Sequence, residues 1–213
     1  KDVFSSFLPG ISGPNGIPIW AFYVNRGQAI TSFGIQNKDR SIMDFDSAHI
    51  AYKTVEREGF RTFIKYGDSY YEPFQRNSKT QMTILPNSIE LVDSHELFDV
   101  KVRYQPVMNK DFPGLIREVE VSPNFNVGTI EVFDGMPELI PFGLNQDVLK
   151  NIPQTVSAWM EVDRYKKVPL FRTRISIEDK AEVKYNSEAH YYISIMDGEV
   201  LETIVDPQLI FLN

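Results

Sequence analysis

The sequence predicts an all-β chain, a large antiparallel β-sandwich with one or two minor helices. Three observations carry that expectation. Apolar residues recur mostly with a period of two, the apolar runs are short, and Gly, Pro, Asn and Asp punctuate them at close intervals. Read this way, residues 1–213 form a single domain. A chain of this length buries roughly 70% of its unfolded surface and needs no disulfide or metal staple.

Ile17–Asp39 opens the series. An aromatic-rich strand breaks at Asn25-Arg26-Gly27-Gln28, a second strand follows, and the chain turns again at Asn37-Lys38-Asp39, the pattern of a β-hairpin. Alternation splits Phe22 from Tyr23 across the sheet, one ring packed inside and the other facing out. Phe45–Glu58 holds an irregular turn of helix. In Gly59–Lys65, Phe60, Thr62 and Ile64 face one way and Arg61, Phe63 and Lys65 the other. Gln81–Leu85 and Ser88–Asp93 read as strands joined by a reversal at Leu85-Pro86-Asn87-Ser88.

The alternation is cleanest in Phe98–Gln105, where Val100, Val102 and Tyr104 interleave with Lys101, Arg103 and Gln105. Glu118–Ser122 repeats it, with Val119 and Val121 inward and Glu118 and Glu120 on the wet face. Val127–Asp134, Phe171–Ile177 and Tyr191–Met196 complete the strands. One helix is expected over Asn145–Val162, capped by Asn145 and broken by Pro153 into a kinked or two-part element. Lys166-Lys167 makes a solvated turn, and Asp197-Gly198 suits a type I′ hairpin because both residues accept positive φ.

The net charge of −7 argues against a nucleic-acid partner, since a phosphate binder is normally basic and the cations here are dispersed. No run approaches the length of a membrane span, so no membrane partner is expected. The absence of Cys fits a reducing cytoplasm. Lys1 at the start and the apolar run Leu209–Leu212 at the end, read as a strand cut close to a domain edge, suggest a domain excised from a longer polypeptide, with a tag-cleaved full chain as the alternative.

No local motif announces catalysis. His49, His95 and His190 are isolated in sequence, with no metal-ligand spacing, and no Walker loop, GxGxxG or GxSxG occurs. No metal or cofactor is expected. Among 29 acidic residues, pairs such as Glu118 with Glu120 or Glu131 with Asp134 arise by number alone. None is assigned a catalytic role. The aromatic fraction of 13% is more suggestive, because Trp20 or Tyr23 would serve as a sugar platform if exposed, against the commoner use of such rings as core. Asn25, Arg26 and Gln28 offer planar hydrogen-bonding groups, and Arg61 amid aromatics would hold a carboxylate of the fold or, less commonly, a ligand oxygen.

Certain blocks carry a resemblance. Ser6–Asp39, Gly59–Tyr66 (GFRTFIKY), Tyr71–Phe74 (YEPF), Phe133–Asn145 (FDGMPELIPFGLN) and Ala158–Val162 (AWMEV) resemble the N-terminal region of glycoside phosphorylases of glycoside hydrolase family ninety-four. These are cellobiose-phosphorylase-related enzymes, and the similarity is greatest to 1,2-β-oligoglucan phosphorylases. The resemblance implies a β-sandwich of galactose-mutarotase-like supersandwich topology that precedes linker helices and an (α/α)6 barrel. The barrel of such an enzyme carries the general acid and binds the phosphate that attacks the anomeric carbon with inversion. Reversible phosphorolysis of β-glucans then yields α-glucose 1-phosphate. The fragment itself would not be an enzyme, since none of the barrel's residues has a counterpart here. Its partners would be the barrel of the same polypeptide and a β-glucan oligosaccharide, and its place the cytoplasm. By the same analogy Trp20, Tyr23, Asn25, Arg26, Gln28, Arg61 and Asn145 are the candidate contacts to sugar or barrel. An autonomous carbohydrate-binding module is the alternative, and a mutarotase-like enzyme with converging histidines is a third.

Overall fold

A computed structural model describes residues 2–12, 17–76, 79–108, 110–125, 128–177, 182–206 and 208–211. Along the chain run β1 (Ser5–Ser12), β2 (Ile17–Val24), β3 (Ile30–Ile35), a 3-10 turn (Lys38–Arg40), β4 (Ser41–Met43), α1 (Ala48–Glu58), β5 (Arg61–Tyr66) and β6 (Ser69–Tyr71). β7 (Gln81–Leu85), β8 (Ser88–Ser94), β9 (Phe98–Pro106), β10 (Leu115–Pro123) and β11 (Ile130–Gly135) follow. The remainder holds α2 (Gln146–Asn151), α3 (Pro153–Ser157), β12 (Met160–Tyr165), β13 (Val168–Thr173), β14 (His190–Tyr191), β15 (Ile195–Met196), β16 (Glu199–Val200) and α4 (Gln208–Phe211). The fold is all-β, antiparallel and sandwich-like, as the sequence predicts. The described residues contain four short helices where one or two were expected. Val127 and Leu212, each part of a sequence expectation, lie outside the described residues.

The chain gathers into two compact units, Lys1–Gln36 with Phe45–Pro137 and Asn37–Asp44 with Glu138–Asn213. In the first, β7 to β10 form a sheet in the order β10-β9-β8-β7, and β11, β5 and β6 form another. Alternation dictates their inner faces. In β9 every second residue from Phe98 to Pro106 is buried, and in β5 Thr62 and Ile64 are buried between half-buried neighbours. The two faces meet through rings: Phe60 on Tyr104 at 5.6 Å, Tyr66 on Phe98 at 5.5 Å and Tyr71 on Phe98 at 5.7 Å. Burying each such side chain contributes about 1.5–3 kcal/mol.

β1, β2 and β3 are antiparallel neighbours. One face of β2 packs Phe22 and Val24 against Ala51 and Val55 of α1, with Phe45 and Tyr52 at the margin. Tyr23, on the opposite face, is also buried. The expectation that one of these rings faces out is thus corrected: α1, an 11-residue helix rather than an irregular turn, covers the side that alternation alone leaves open.

In the second unit β13 lies between β12 and β14, and β15 pairs with β16 across Asp197-Gly198, whose φ angles of 52° and 81° fit the expected turn. The expected strand over Tyr191–Met196 is split between β14 and β15, and the terminal apolar run expected as a strand is instead helical over Gln208–Phe211. Pro153 stands at the start of α3 and divides α2 from it, so the helix is two-part as expected. Its core joins Ile140, Leu144 and Val156, with Val148, Leu149, Trp159, Met160 and Ile177 packed around them.

Candidate functional site

The turn after β2 is closed by the backbone first. Val24 N–H donates to Ala29 C=O at 3.0 Å and Ala29 N–H to Arg26 C=O at 3.1 Å. Gly27 and Ala29 take φ of 54° and 67°, a conformation that is easy for glycine and strained for alanine. Ala29 is fully buried, so packing holds it there.

Each polar side chain of the turn then finds a partner within the fold. Asn25 accepts from Phe4 N–H at 2.9 Å and donates to Asp2 C=O at 2.6 Å, fastening the segment before β1. Arg26 lies over the Tyr52 ring at 3.9 Å, donates to Tyr52 C=O at 3.3 Å and stands 3.8 Å from Glu56, all on α1. Gln28 is only 3% exposed. Its Oε1 meets Arg117 Nη2 in a short hydrogen bond and lies 3.2 Å from the Thr62 hydroxyl.

Arg117 is the centre of this cluster. It stands on the inner face of β10, opposite Tyr104 of β9, with its side chain 6% exposed. Its Nη2 donates to Asp134 Oδ1 at 2.7 Å and to Thr62 Oγ1 at 2.9 Å, and Thr62 donates to Asp134 at 2.6 Å. The rings of Phe60 and Tyr104 lie 5.1 and 5.4 Å from the guanidinium carbon, a cation–π setting that suits a desolvated cation. Burial pushes the Asp134 carboxyl above its ordinary range, while the Arg117 charge and the Thr62 hydroxyl pull it back. One cation, one anion, an amide and a hydroxyl thus join the hairpin turn to β5, β10 and β11. Sequence reading missed Arg117, although the residue is in phase with Val119 and Val121, and a charge on the apolar phase of a strand was the available signal.

A second buried carboxylate lies on β8. Asp93 is fully buried, and its Oδ2 accepts from Tyr71 Oη at 2.8 Å and from Phe74 N–H at 2.6 Å. Phe74 has φ of 66°, so the charged hydrogen bond helps to hold a strained residue. Burial pushes the Tyr71 phenol far up, aided by its bond to Asp93.

The other candidates are also placed. Tyr23 is 4% exposed and packs on Phe4 at 6.0 Å, so it offers no open platform, which corrects that expectation. Trp20 is half-buried, edge-on to Phe7 and Phe45. Arg61 makes a two-pronged pair with Glu72, at 2.7 and 2.9 Å, the carboxylate use weighed above a ligand. Asn145 caps α2 by accepting from Val148 N–H at 2.9 Å.

The histidines have separate surroundings. His49 is bonded to Ser47, His95 lies among Tyr66, Tyr71 and Phe98, and His190 Nδ1 meets Ile140 C=O at 2.7 Å. Glu131 and Asp134 fall on opposite faces of β11, the first paired with Lys65 and the second with Arg117. Among the described residues, no three His, Asp or Glu side chains are grouped to hold a metal ion, and no helix is long and apolar enough to cross a membrane. The sequence matches no known family model and no curated protein.

Proposed function

We propose that this chain is a non-catalytic β-domain of a carbohydrate phosphorylase acting on β-glucans, and that it braces the (α/α)6 barrel in which the chemistry takes place. The observation that carries the reading is apolar exposure in the second unit. Val183, Tyr185, Ile195, Met196 and Leu209 are each at least 60% exposed within a short span of chain. Apolar side chains exposed at this density along the chain favour packing against another protein element. The inward use of Asn25, Arg26, Gln28 and Asn145 agrees with a supporting role, because these groups order turns and helix ends. The blocks from Ser6 to Asp39 and from Phe133 to Asn145 supply the resemblance to the phosphorylases.

The test is reconstitution. A separately produced barrel of such an enzyme is assayed for phosphate-dependent release of glucose 1-phosphate from β-1,2-glucan, with and without this chain. The chain is expected to raise activity and barrel stability, and Ile195→Asp with Met196→Asp is expected to abolish the effect. Unchanged activity and unchanged thermal stability of the barrel would sink the proposal.

A further inference from the structure

We propose that the outer face of the β11-β5-β6 sheet binds a neutral oligosaccharide. The register lays this face out in rows. Phe133 on β11 is opposite Phe63 on β5, Glu131 is opposite Lys65, Lys65 is opposite Tyr70 on β6, and Gly135 is opposite Arg61. Adjacent strands stand about 4.8 Å apart and successive residues on one face about 7 Å apart, so these groups share one nearly flat surface.

The face combines open rings with paired charges. Phe133 is 43% exposed and Tyr70 71%. Arg61 lies over the Phe63 ring at 4.6 Å and is held there by Glu72, giving a flat polar shelf. Lys65 and Glu131 pair at 3.1 Å on the next row. Two cations and two anions make the face neutral, although the chain carries −7. That balance disfavours a strongly ionic partner and suits a ligand made of hydroxyls and C–H faces. Aromatic faces take the C–H side of a sugar, and guanidinium and carboxylate groups take its hydroxyls.

Gly135 offers a way to obstruct the face without disturbing the fold. A Cβ built there would meet nothing within 4 Å, and the backbone is not in the left-handed region. Neither crowding nor conformation demands glycine, so a side chain introduced at 135 would rise from the face beside Phe133 and opposite Arg61. A pyranose on Phe133 would lie over Gly135 with its hydroxyls toward Arg61 and Glu72. This face belongs to the first unit, whereas the apolar residues used above belong to the second. The choice of a glucan probe rests on the proposed phosphorylase kinship, whereas the site rests on the register and the open rings.

The experiment is an NMR titration of the isotope-labelled full chain with two probes, a β-1,2-linked glucotriose and cellotriose. Saturable shifts are expected at residues 61–72 and 130–135, with a Kd on the order of 1 mM, as befits an open face. Tyr70→Ala and Phe133→Ala should each weaken binding about tenfold. Gly135→Val should weaken it as much with the melting temperature unchanged, since a side chain there meets open space, which separates an obstructed face from a lost fold. Binding of cellotriose alone would uphold the face and count against the kinship. The proposal is overturned if neither sugar shifts these residues up to its solubility limit, or if Tyr70→Ala and Gly135→Val bind as the parent does.

Discussion

The two compact units bury their apolar residues to different degrees, and they are held together differently as a result. In the first unit Val24, Ile64, Phe98, Val100, Val102 and Tyr104 are all wholly buried. In the second the core cluster is built on Ile140, Leu144 and Val156, while many apolar side chains after Val183 stay exposed. The second unit relies instead on polar pins. Asn186 donates to Thr173 Oγ1 at 2.7 Å and to Thr173 C=O at 3.0 Å. Arg172 bonds Glu161 at 3.0 Å, Asn186 C=O at 3.1 Å and Asp163. Each such bond contributes only about 0.5–1.5 kcal/mol net, because water competes for the same groups. A unit built this way gains most when another surface covers it.

The comparison breaks most sharply at Arg117, the buried charge of the first unit. Arg117→Leu removes the donor shared by Gln28, Thr62 and Asp134 and leaves a carboxylate without its cation. The expected loss is about 3 kcal/mol, the low end for breaking a buried pair, since the Asp134 side chain is 22% exposed and water reaches it. Chemical denaturation measures the loss. Adding Asp134→Leu should recover most of it, because apolar replacement of a whole buried pair is often neutral. If Arg117→Leu alone costs nothing, the cluster does not join the sheets as argued.

The second unit is most exposed to damage at Gly143. Its φ is 97°, and a Cβ there would lie 2.4 Å from Thr173 Oγ1 and 2.7 Å from Asn186 Nδ2. Gly143→Ala therefore combines backbone strain with a clash against the polar pin, an expected cost of about 2 kcal/mol. Hydrogen exchange should quicken at Phe142, Thr173 and Asn186 while Val100 and Val102 keep their protection. Equal loosening of both units would mean that their stabilities are not separable.

These two sites show where sequence reading succeeds and where it stops. Val100, Val102, Tyr104, Val119 and Val121 declare their faces because a strand has period two, and Pro153, Asn145 and Asp197-Gly198 act through local backbone geometry. Each was legible for that reason. The fate of Tyr23 was not, because it depends on what covers the far side of its sheet. The partners of Gln28 lie 34 and 89 residues away in Thr62 and Arg117. No local pattern encodes such a meeting. Gly143 gave no warning either, since the atoms that forbid a Cβ come from β13 and from Asn186.

The smallest effect, and the most selective, is a pH dependence of opposite sign in the two units. Burial lowers the pKa of His190 below its ordinary 6.5, against the bond to Ile140 C=O that tends to raise it. The unfolded chain then binds the proton more readily than the folded one. Stability from this group is complete above pH 6.5 and is lost as pH falls through that value toward the lowered pKa. Asp134 runs the other way. Its raised pKa means the folded state holds the proton more firmly, so its contribution falls as pH rises from 3.8. Between about pH 7.5 and about pH 5.5 the second unit should weaken while the first does not respond through Asp134 in the same direction. Exchange at Ile140 and Phe171 reports the second unit, and Val102 the first. His190→Gln should flatten the slope in the second unit, since an amide keeps a donor for Ile140 C=O and does not titrate. A slope unchanged by that substitution would place the titrating group elsewhere and remove His190 from the account.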